Sequence, residues 1–414
     1  MSKILIKDIQ DIEGKTTNIE IESDHDLVID GRGLTCLPAL IDTHVHFRQP
    51  GHEIKEDWGT ASQAAIAGGV TTVIDMPNNA PACVTHDNLM AKKELIEKKL
   101  ASVDIPLRYH LYFGADQHHL DEIPKCQGGI AGIKVFMGSS TGTLLMDRQH
   151  DLERVFDMAA AHDLIVSVHA EDESIISKNH KEFSTESDPS IHSKIRHPDA
   201  AISATKRAIA LAEKYGARLC ILHMSTADEV ELVRQAKRRG VKVYAEVTPH
   251  HLFLNVDDYP RLGTKGQMNP PLRTLTDQEA LWAGIHDGTI DFMGTDHAPH
   301  TLDEKQRPYG EAPSGVPSIE QILPLLLDAY NRGKLTLRQI VKLTRTRAEE
   351  IFRLPTHSDV VLVDLNREKA VDDGELKTKC QWSPYHGRKL KGWPVCTILK
   401  GNVYQIEDLS CQKL

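Results

Sequence analysis

Between residues 34 and 300 one texture recurs, and it limits what this chain can fold into. Short apolar runs recur eight times, and most are followed by a segment with helical spacing. The apolar cores lie at 39–41, 72–74, 109–112, 132–136, 164–168, 219–222, 241–244 and 290–293. Such runs, too short for helices and rich in branched side chains, read as strands buried on both faces. The clearest helical segments are 55–67, 86–100, 151–161, 199–215, 226–239 and 318–331. Strand alternating with helix is the pattern of βαβ units and a parallel sheet. Eight units in this span predict an α/β chain folded as a (β/α)8 TIM-type barrel. A doubly wound open sheet is the alternative, but no Gly-x-Gly-x-x-Gly follows the first strand.

The ends of the chain have a different texture. Short alternating runs such as Ile4–Ile6 and Asn18–Ile21 precede the barrel; after a helical stretch at 336–352, apolar runs return at Val360–Val363 and Val395–Leu399. Strands from both ends are expected to pair. That predicts a small β-domain made of 1–36 and 356–414 beside a barrel at 37–355.

Composition narrows the function. The chain has 414 residues, 40% hydrophobic and 26% charged, enough for a large core. A formal net charge of -10 argues against nucleic acid or an anionic membrane surface as partner. Seven scattered cysteines without a Cys-x-x-Cys pair argue against a disulfide framework and a thiolate zinc site, and they suit a reducing cytoplasm. The first residues hold too short an apolar run for a signal peptide, and no run has the length of a membrane span.

The chemistry begins at Asp42-Thr-His-Val-His-Phe-Arg48. Alternation in a strand puts His44 and His46 on one face, where two imidazoles can hold one metal ion. Arg48 brings a fixed positive charge two residues further on. Alone, a His-x-His is more often two satisfied loop histidines. Other predicted strand ends, however, carry Lys134, His169, His223 and Asp296. Barrel enzymes place catalytic groups at the C-terminal ends of strands, so six such residues on five strands predict a metal centre. A protonated Lys134 cannot be a ligand. Burial beside cations would lower its pKa, and the neutral amine could take up carbon dioxide as a carbamate that bridges two ions. Nitrogen and oxygen donors without thiolate favour zinc, with manganese or cobalt also suitable. Two ions sharing a water make hydroxide available at neutral pH, and Asp296 can accept its proton.

Seven ordered motifs extend this reading: His44-Val-His-Phe-Arg48, Asp75-Met-Pro-Asn78, Gly132-Ile-Lys134, Val168-His-Ala-Glu171, Leu222-His-Met-Ser-Thr226, Met268-Asn-Pro-Pro-Leu-Arg273 and Gly294-Thr-Asp-His-Ala-Pro-His300. The set resembles the cyclic amidases of the amidohydrolase superfamily, and among them the dihydroorotase family most. The resemblance implies reversible conversion of N-carbamoyl-L-aspartate to (S)-dihydroorotate in pyrimidine biosynthesis. It implies two Zn2+ ions, one held by His44, His46 and Asp296, the other by His169 and His223, with carboxylated Lys134 between. It assigns Arg48, Asn78 and His300 to the substrate carboxylate, and Asn269, Pro313 and Gly315 to the substrate ring. A homodimer is compatible with it.

Residues 138–142, Gly-Ser-Ser-Thr-Gly, read equally as a lid and as an ordinary loop. The chain departs from the family at Ala39, where Gly is usual, and at Gln49, where an acid is common. The segment 355–359 is short for the family, so a trimmed β-domain is expected. Allantoinase and hydantoinase are the enzyme alternatives, disfavoured by Arg48. A metal-free homologue acting as an assembly partner is the alternative of another class.

Overall fold

The computed structural model of the chain describes residues 2–140, 144–407, 409 and 411–412. Thr141 and Gly142 of the Gly/Ser segment lie outside them. The chain enters through four strands, β1 (Lys3–Gln10), β2 (Thr16–Glu22), β3 (Leu27–Asp30) and β4 (Thr35–Pro38). Eight more follow at the expected places: β5 (Leu40–Val45), β6 (Val70–Asp75), β7 (Arg108–Gly114), β8 (Gly132–Phe136), β9 (Ile165–His169), β10 (Arg218–Ile221), β11 (Val243–Val247) and β12 (Phe292–Met293). These eight are parallel neighbours in chain order from β5 to β12. β12 is only two residues long, so the seam back to β5 is closed by other means. Val45 bridges His297, His46 N–H donates to His297 O at 2.8 Å, and Thr295 N–H donates to Asp42 at 2.9 Å. The result is the expected barrel, nearly closed.

Burial explains why the strands read as unbroken apolar runs. β5, β6, β8 and β9 are buried at every position. Alternate residues fill the interior: Ile41, Ile74, Tyr112, Ile165, Cys220 and Phe292, stoppered from below by Phe352, whose ring lies edge-on to Tyr112 and Phe292. The opposite strand faces and the helices form a second, larger apolar layer. Helices begin where side chains cap them. Asp57 caps Trp58–Ala67, and Thr226 with Glu229 makes a capping box for Ala227–Arg238. The first helix was expected from residue 55. Its cap at Asp57 leaves Lys55 and Glu56 in the preceding loop.

The helix expected at 336–352 is interrupted. Leu337–Val341 and Arg347–Phe352 are α-helical, with a π-helical turn, Lys342–Thr346, between them. The extra residue in that turn lets Arg345 reach Ala39 O at 2.9 Å and His357 O at 2.8 Å. No Gly or Pro marks the spot, so sequence patterning had nothing to report there.

The last strands are β13 (Val360–Ala370), β14 (Lys389–Leu399), β15 (Asn402–Gln405) and β16 (Cys411–Gln412). They join β1–β4 in one mixed sheet, ordered β16-β15-β14-β13-β4-β1-β2 with β3 beside β1. β13 lies antiparallel to β4, from Val360 opposite Pro38 to Val363 opposite Thr35. Both chain ends therefore build the sheet, as expected. Between β13 and β14 a strap, residues 371–388, crosses to the C-terminal end of the barrel strands. Trp382 Nε1 donates to His300 O there at 2.8 Å.

Candidate active site

Six predicted ligands converge at the C-terminal mouth of the barrel. Asp296 Oδ1 lies 3.2 Å from His44 Nε2 and 3.1 Å from His46 Nε2. The donor atoms of these three residues all lie within 4.8 Å of one another. Deeper in, the His169 and His223 rings are 4.9 Å apart, with His169 Nδ1 3.1 Å from His223 Nε2. Lys134 is buried with them, its Nζ 4.7 Å from the Phe136 ring centre.

The rings are oriented by acceptors at their outer nitrogens. His44 Nδ1 meets Glu246 Oε1 at 2.8 Å, His46 Nδ1 meets Asn78 Oδ1 at 2.8 Å, and His169 Nε2 meets Glu171 Oε2 at 2.9 Å. Each acceptor holds the proton on the outer nitrogen and leaves a lone pair facing the centre. For His44 and His46 that lone pair faces the Asp296 carboxylate, an arrangement that is repulsive without a cation between them. Burial, the largest influence on each, holds His46 at about 3 and His169 and His223 below the ordinary histidine value. Burial alone would raise the Asp296 carboxyl. Positive charge at the His44, His46 and His223 positions overcomes it and keeps Asp296 well below the usual range; with the rings neutral, a cation held among them supplies that charge. Neutral imidazoles around one carboxylate are the donor set of a divalent metal, so His44, His46 and Asp296 fit a metal ion.

Lys134 Nζ is drawn down to about 8. Burial is the cause; Asp296 and Glu246 oppose it. The expected lowering is present, but desolvation produces it and the neighbouring charges act the other way.

Three site residues have left-handed backbone: Arg48 at φ 63°, His223 at φ 37° and Asp296 at φ 46°. That conformation is uncommon outside glycine, and it turns each side chain inward just past a strand end. Gly294 explains itself by proximity. A Cβ there would stand 2.5 Å from Glu246 Oε2 and 2.8 Å from His44 Cβ.

A cleft above the metal ligands is lined by His46, Arg48, Asn78, Ser140, Asn269, Asp296, Ala298, Ser314 and Gly315. Arg48 is anchored by Nε to Pro299 O at 3.0 Å, and its Nη2 lies 3.1 Å from His300 Nε2. Burial lowers it to about 10, so it remains cationic at neutral pH. Arg48 does not pair with the carboxylates of the following loop: Asp57 faces Lys99 and Lys379, and Glu53 accepts from Gly51 N–H. Asn269 Oδ1 is 2.9 Å from His192 Nε2. Pro313 stands one residue outside the lining, with its carbonyl turned to Lys305 Nζ at 2.8 Å. At Gly315, φ 139°, a Cβ would meet Ala298 O at 2.5 Å.

Several contributors went unread in the sequence. Glu171 follows His169 by two residues and was within reach of the alternation argument. Arg196 Nη2 clamps it at 2.5 Å and also donates to Ser139 O at 2.6 Å. Glu246 is a lone charge inside the buried run Val243–Val247, the same signal that exposed Lys134. The buried pair Lys92–Asp75, at 2.5 Å, presents Asp75 Oδ1 to Phe47 N–H and so holds the turn into Arg48. No local pattern indicates that pairing.

Comparison with known proteins agrees with this geometry. The model of the amidohydrolase family matches residues 35–402. A dihydroorotase from Halobacterium salinarum is 37% identical over 91% of this chain and 88% of its own length. One from Methanosarcina mazei is 35% identical over 95% and 90%. Among solved structures, the L-hydantoinase (dihydropyrimidinase) of Arthrobacter aurescens aligns with a TM-score of 0.92 at 26% identity, covering 98% of this chain and 97% of that one. Barrel, end-built sheet and His-His-Asp site together define a metal-site hydrolase of the amidohydrolase family, to which the chain belongs. Within that family it groups with the dihydroorotases, which are cyclic amide hydrolases.

Proposed function

We propose that this protein interconverts N-carbamoyl-L-aspartate and (S)-dihydroorotate, a step of de novo pyrimidine biosynthesis carried out in the cytoplasm. The observation that carries the reading is the buried Arg48 fork beside the metal ligands. Dihydroorotate has a carboxylate on its ring, and a guanidinium matches it in charge and geometry. His300 and Asn78 border the same corner and add hydrogen bonds, while Asn269 and the 313–315 segment flank the ring. The fold does not separate this reading from a hydantoinase, since a protein of that name shares it at TM-score 0.92. A carboxylate pocket at Arg48 favours dihydroorotate, because hydantoin and allantoin rings bear no carboxylate.

Two Zn2+ ions suit the donor set: His44, His46 and Asp296 would hold one, His169 and His223 the other, and Lys134 as a carbamate would lie between. Bound there, they would supply Lewis acidity toward the ring carbonyl and lower the pKa of water. Asp296 does the proton work. In ring opening a water oxygen adds to the ring amide carbon, Asp296 takes the released proton, the C–N bond breaks, and Asp296 returns the proton to the departing nitrogen. Closure runs the same path backward. A metal-free assembly role would not call for two oriented imidazoles facing one buried carboxylate.

Arg48→Met tests the reading. Leaving the substrate carboxylate without its main partner costs about 2–5 kcal/mol, or about 30- to 4,000-fold in kcat/KM for dihydroorotate. Metal content should stay, and an uncharged ring amide should be affected little. Equal losses on both substrates, or efficient turnover of allantoin by the unaltered protein, reject it.

A further inference from the structure

Lys55 lies in the loop before the first barrel helix, two residues ahead of the Asp57 cap. Its Nζ is 3.0 Å from His300 Nδ1 and 3.0 Å from Glu304 Oε1. On the other side of the ring, His300 Nε2 lies 3.0 Å from Ser314 O and 3.1 Å from Arg48 Nη2. The ring is fully buried between two cations, with Lys305 close behind.

The neighbours decide which nitrogen carries the proton. With the proton on Nε2, that nitrogen donates to Ser314 O and Nδ1 accepts from the Lys55 ammonium. Two good bonds form, and one contact, with Arg48, pairs donor with donor. With the proton on Nδ1, its one acceptor is Glu304 Oε2 at 3.7 Å, too long for a hydrogen bond. Lys55 then faces a donor at 3.0 Å, and the Ser314 carbonyl faces a lone pair at 3.0 Å. A doubly protonated ring would place a third positive charge between Arg48 and Lys55. The Nδ1–H form gains one bond, from Arg48 Nη2 to Nε2 at 3.1 Å, but gives up two, from Lys55 and to Ser314 O, so the first arrangement wins by two bonds to one.

We propose that Lys55 is a positioning residue that fixes the Nε2–H tautomer of His300, so that the cleft presents a second donor beside Arg48 to the ring carboxylate of the substrate. The proposal rests on the carboxylate-pocket reading above. Ser314 and Arg48 both line the cleft, so the Nε2 proton points at its wall. A carboxylate gripped by Arg48 can share that proton with Ser314 O. Glu304 serves as the counter-charge that keeps the ammonium in place, and Thr301 N–H and Oγ1 hold its other oxygen. Without Lys55, Nδ1 would lose its donor, and the Arg48 Nη2 donor at Nε2 together with the Glu304 carboxylate on the Nδ1 side would draw the proton to Nδ1. Nε2 would then turn a lone pair to the substrate anion.

The test is a nitrogen-15 histidine spectrum of the zinc-loaded, full-length protein, with the His300 signal assigned by its loss in His300→Gln. The expected pattern is a protonated Nε2 and an unprotonated, hydrogen-bonded Nδ1. A protonated Nδ1 in the unaltered protein overturns the proposal. Lys55→Met should reverse the pattern and raise KM for dihydroorotate by about 10- to 100-fold, the worth of one charge-assisted hydrogen bond, with kcat changed much less. Lys55→Arg should retain most of the affinity. An Nε2–H ring with unchanged KM in Lys55→Met also overturns it. If the unaltered protein does not turn over dihydroorotate, the functional reading fails while the spectrum still reports whether Lys55 sets the tautomer.

Discussion

Lys134 sits inside an otherwise apolar strand, among histidines, with its ammonium destabilised by burial to about 8. A substantial neutral fraction near that pH is what carbon dioxide needs in order to add to an amine. Lys134→Ala is expected to lower activity by more than about 100-fold, beyond the range for losing an outer partner of a ligand, and to lower metal content. A short carboxylate such as propionate should restore part of both. Full metal content and normal turnover in Lys134→Ala would show that the site needs no bridging anion. Arg48 and His300 carry the residue-scale argument for specificity: one is a charge that burial leaves intact, the other a donor whose direction depends on a neighbour.

At the scale of elements, β11 braces the site from across the barrel. Its Glu246 accepts from Thr43 Oγ1 at 3.1 Å and His44 Nδ1 at 2.8 Å on β5, and from His223 N–H at 3.1 Å just past β10. One carboxylate thus ties a ligand of each proposed metal position to a third strand. Glu246→Gln keeps the shape but replaces the charged acceptor of His44 Nδ1 with a neutral amide. Zinc affinity, measured by competition with a chelator, should fall about 10-fold, the lower end for a ligand's outer partner. Unchanged affinity would mean that packing alone orients His44. The two-residue β12 belongs to the same scale. A strand that short cannot close a barrel, and the Thr295–Asp42 and His46–His297 bonds take over, which brings Asp296 against His44 and His46.

Across the whole molecule, the strap joins the end-built sheet to the barrel mouth through two buried carboxylates. Glu320 accepts from Lys377 N–H at 2.9 Å and Thr378 N–H at 2.8 Å, and Glu56 accepts from Lys379 N–H at 3.1 Å. Burial raises Glu320 from its ordinary 4.5 to about 7. A folded-state pKa above the unfolded one means that the folded protein holds this proton more tightly. Its stabilising contribution is complete below the unfolded value and is lost as pH rises through about 7. Glu320→Gln, which cannot ionise, should flatten the dependence of the urea midpoint on pH between about 5 and 7. The same slope in both proteins would place the titration elsewhere.

The barrel, the end-built sheet and the six metal-ligand candidates were legible in the sequence because each follows from a local rule. Parallel strands buried on both faces must be apolar runs, and barrel chemistry must sit at strand ends, so Lys134 or Asp296 stands out by position alone. The resemblance added the substrate. What the tertiary structure decided is every pairing between groups far apart in the chain. Glu246 was visible as a buried charge, but not that it serves His44, some two hundred residues earlier. Lys55 looked like the start of a helix until the Asp57 cap left it in a loop facing His300, 245 residues away. The π-helical turn at Lys342–Thr346 likewise exists to deliver Arg345 to Ala39 and His357. Residue types and their local spacing are properties of the chain. Which donor meets which acceptor is settled only when packing brings distant segments within hydrogen-bond distance, and that is where orientation, tautomer and charge at this site are set.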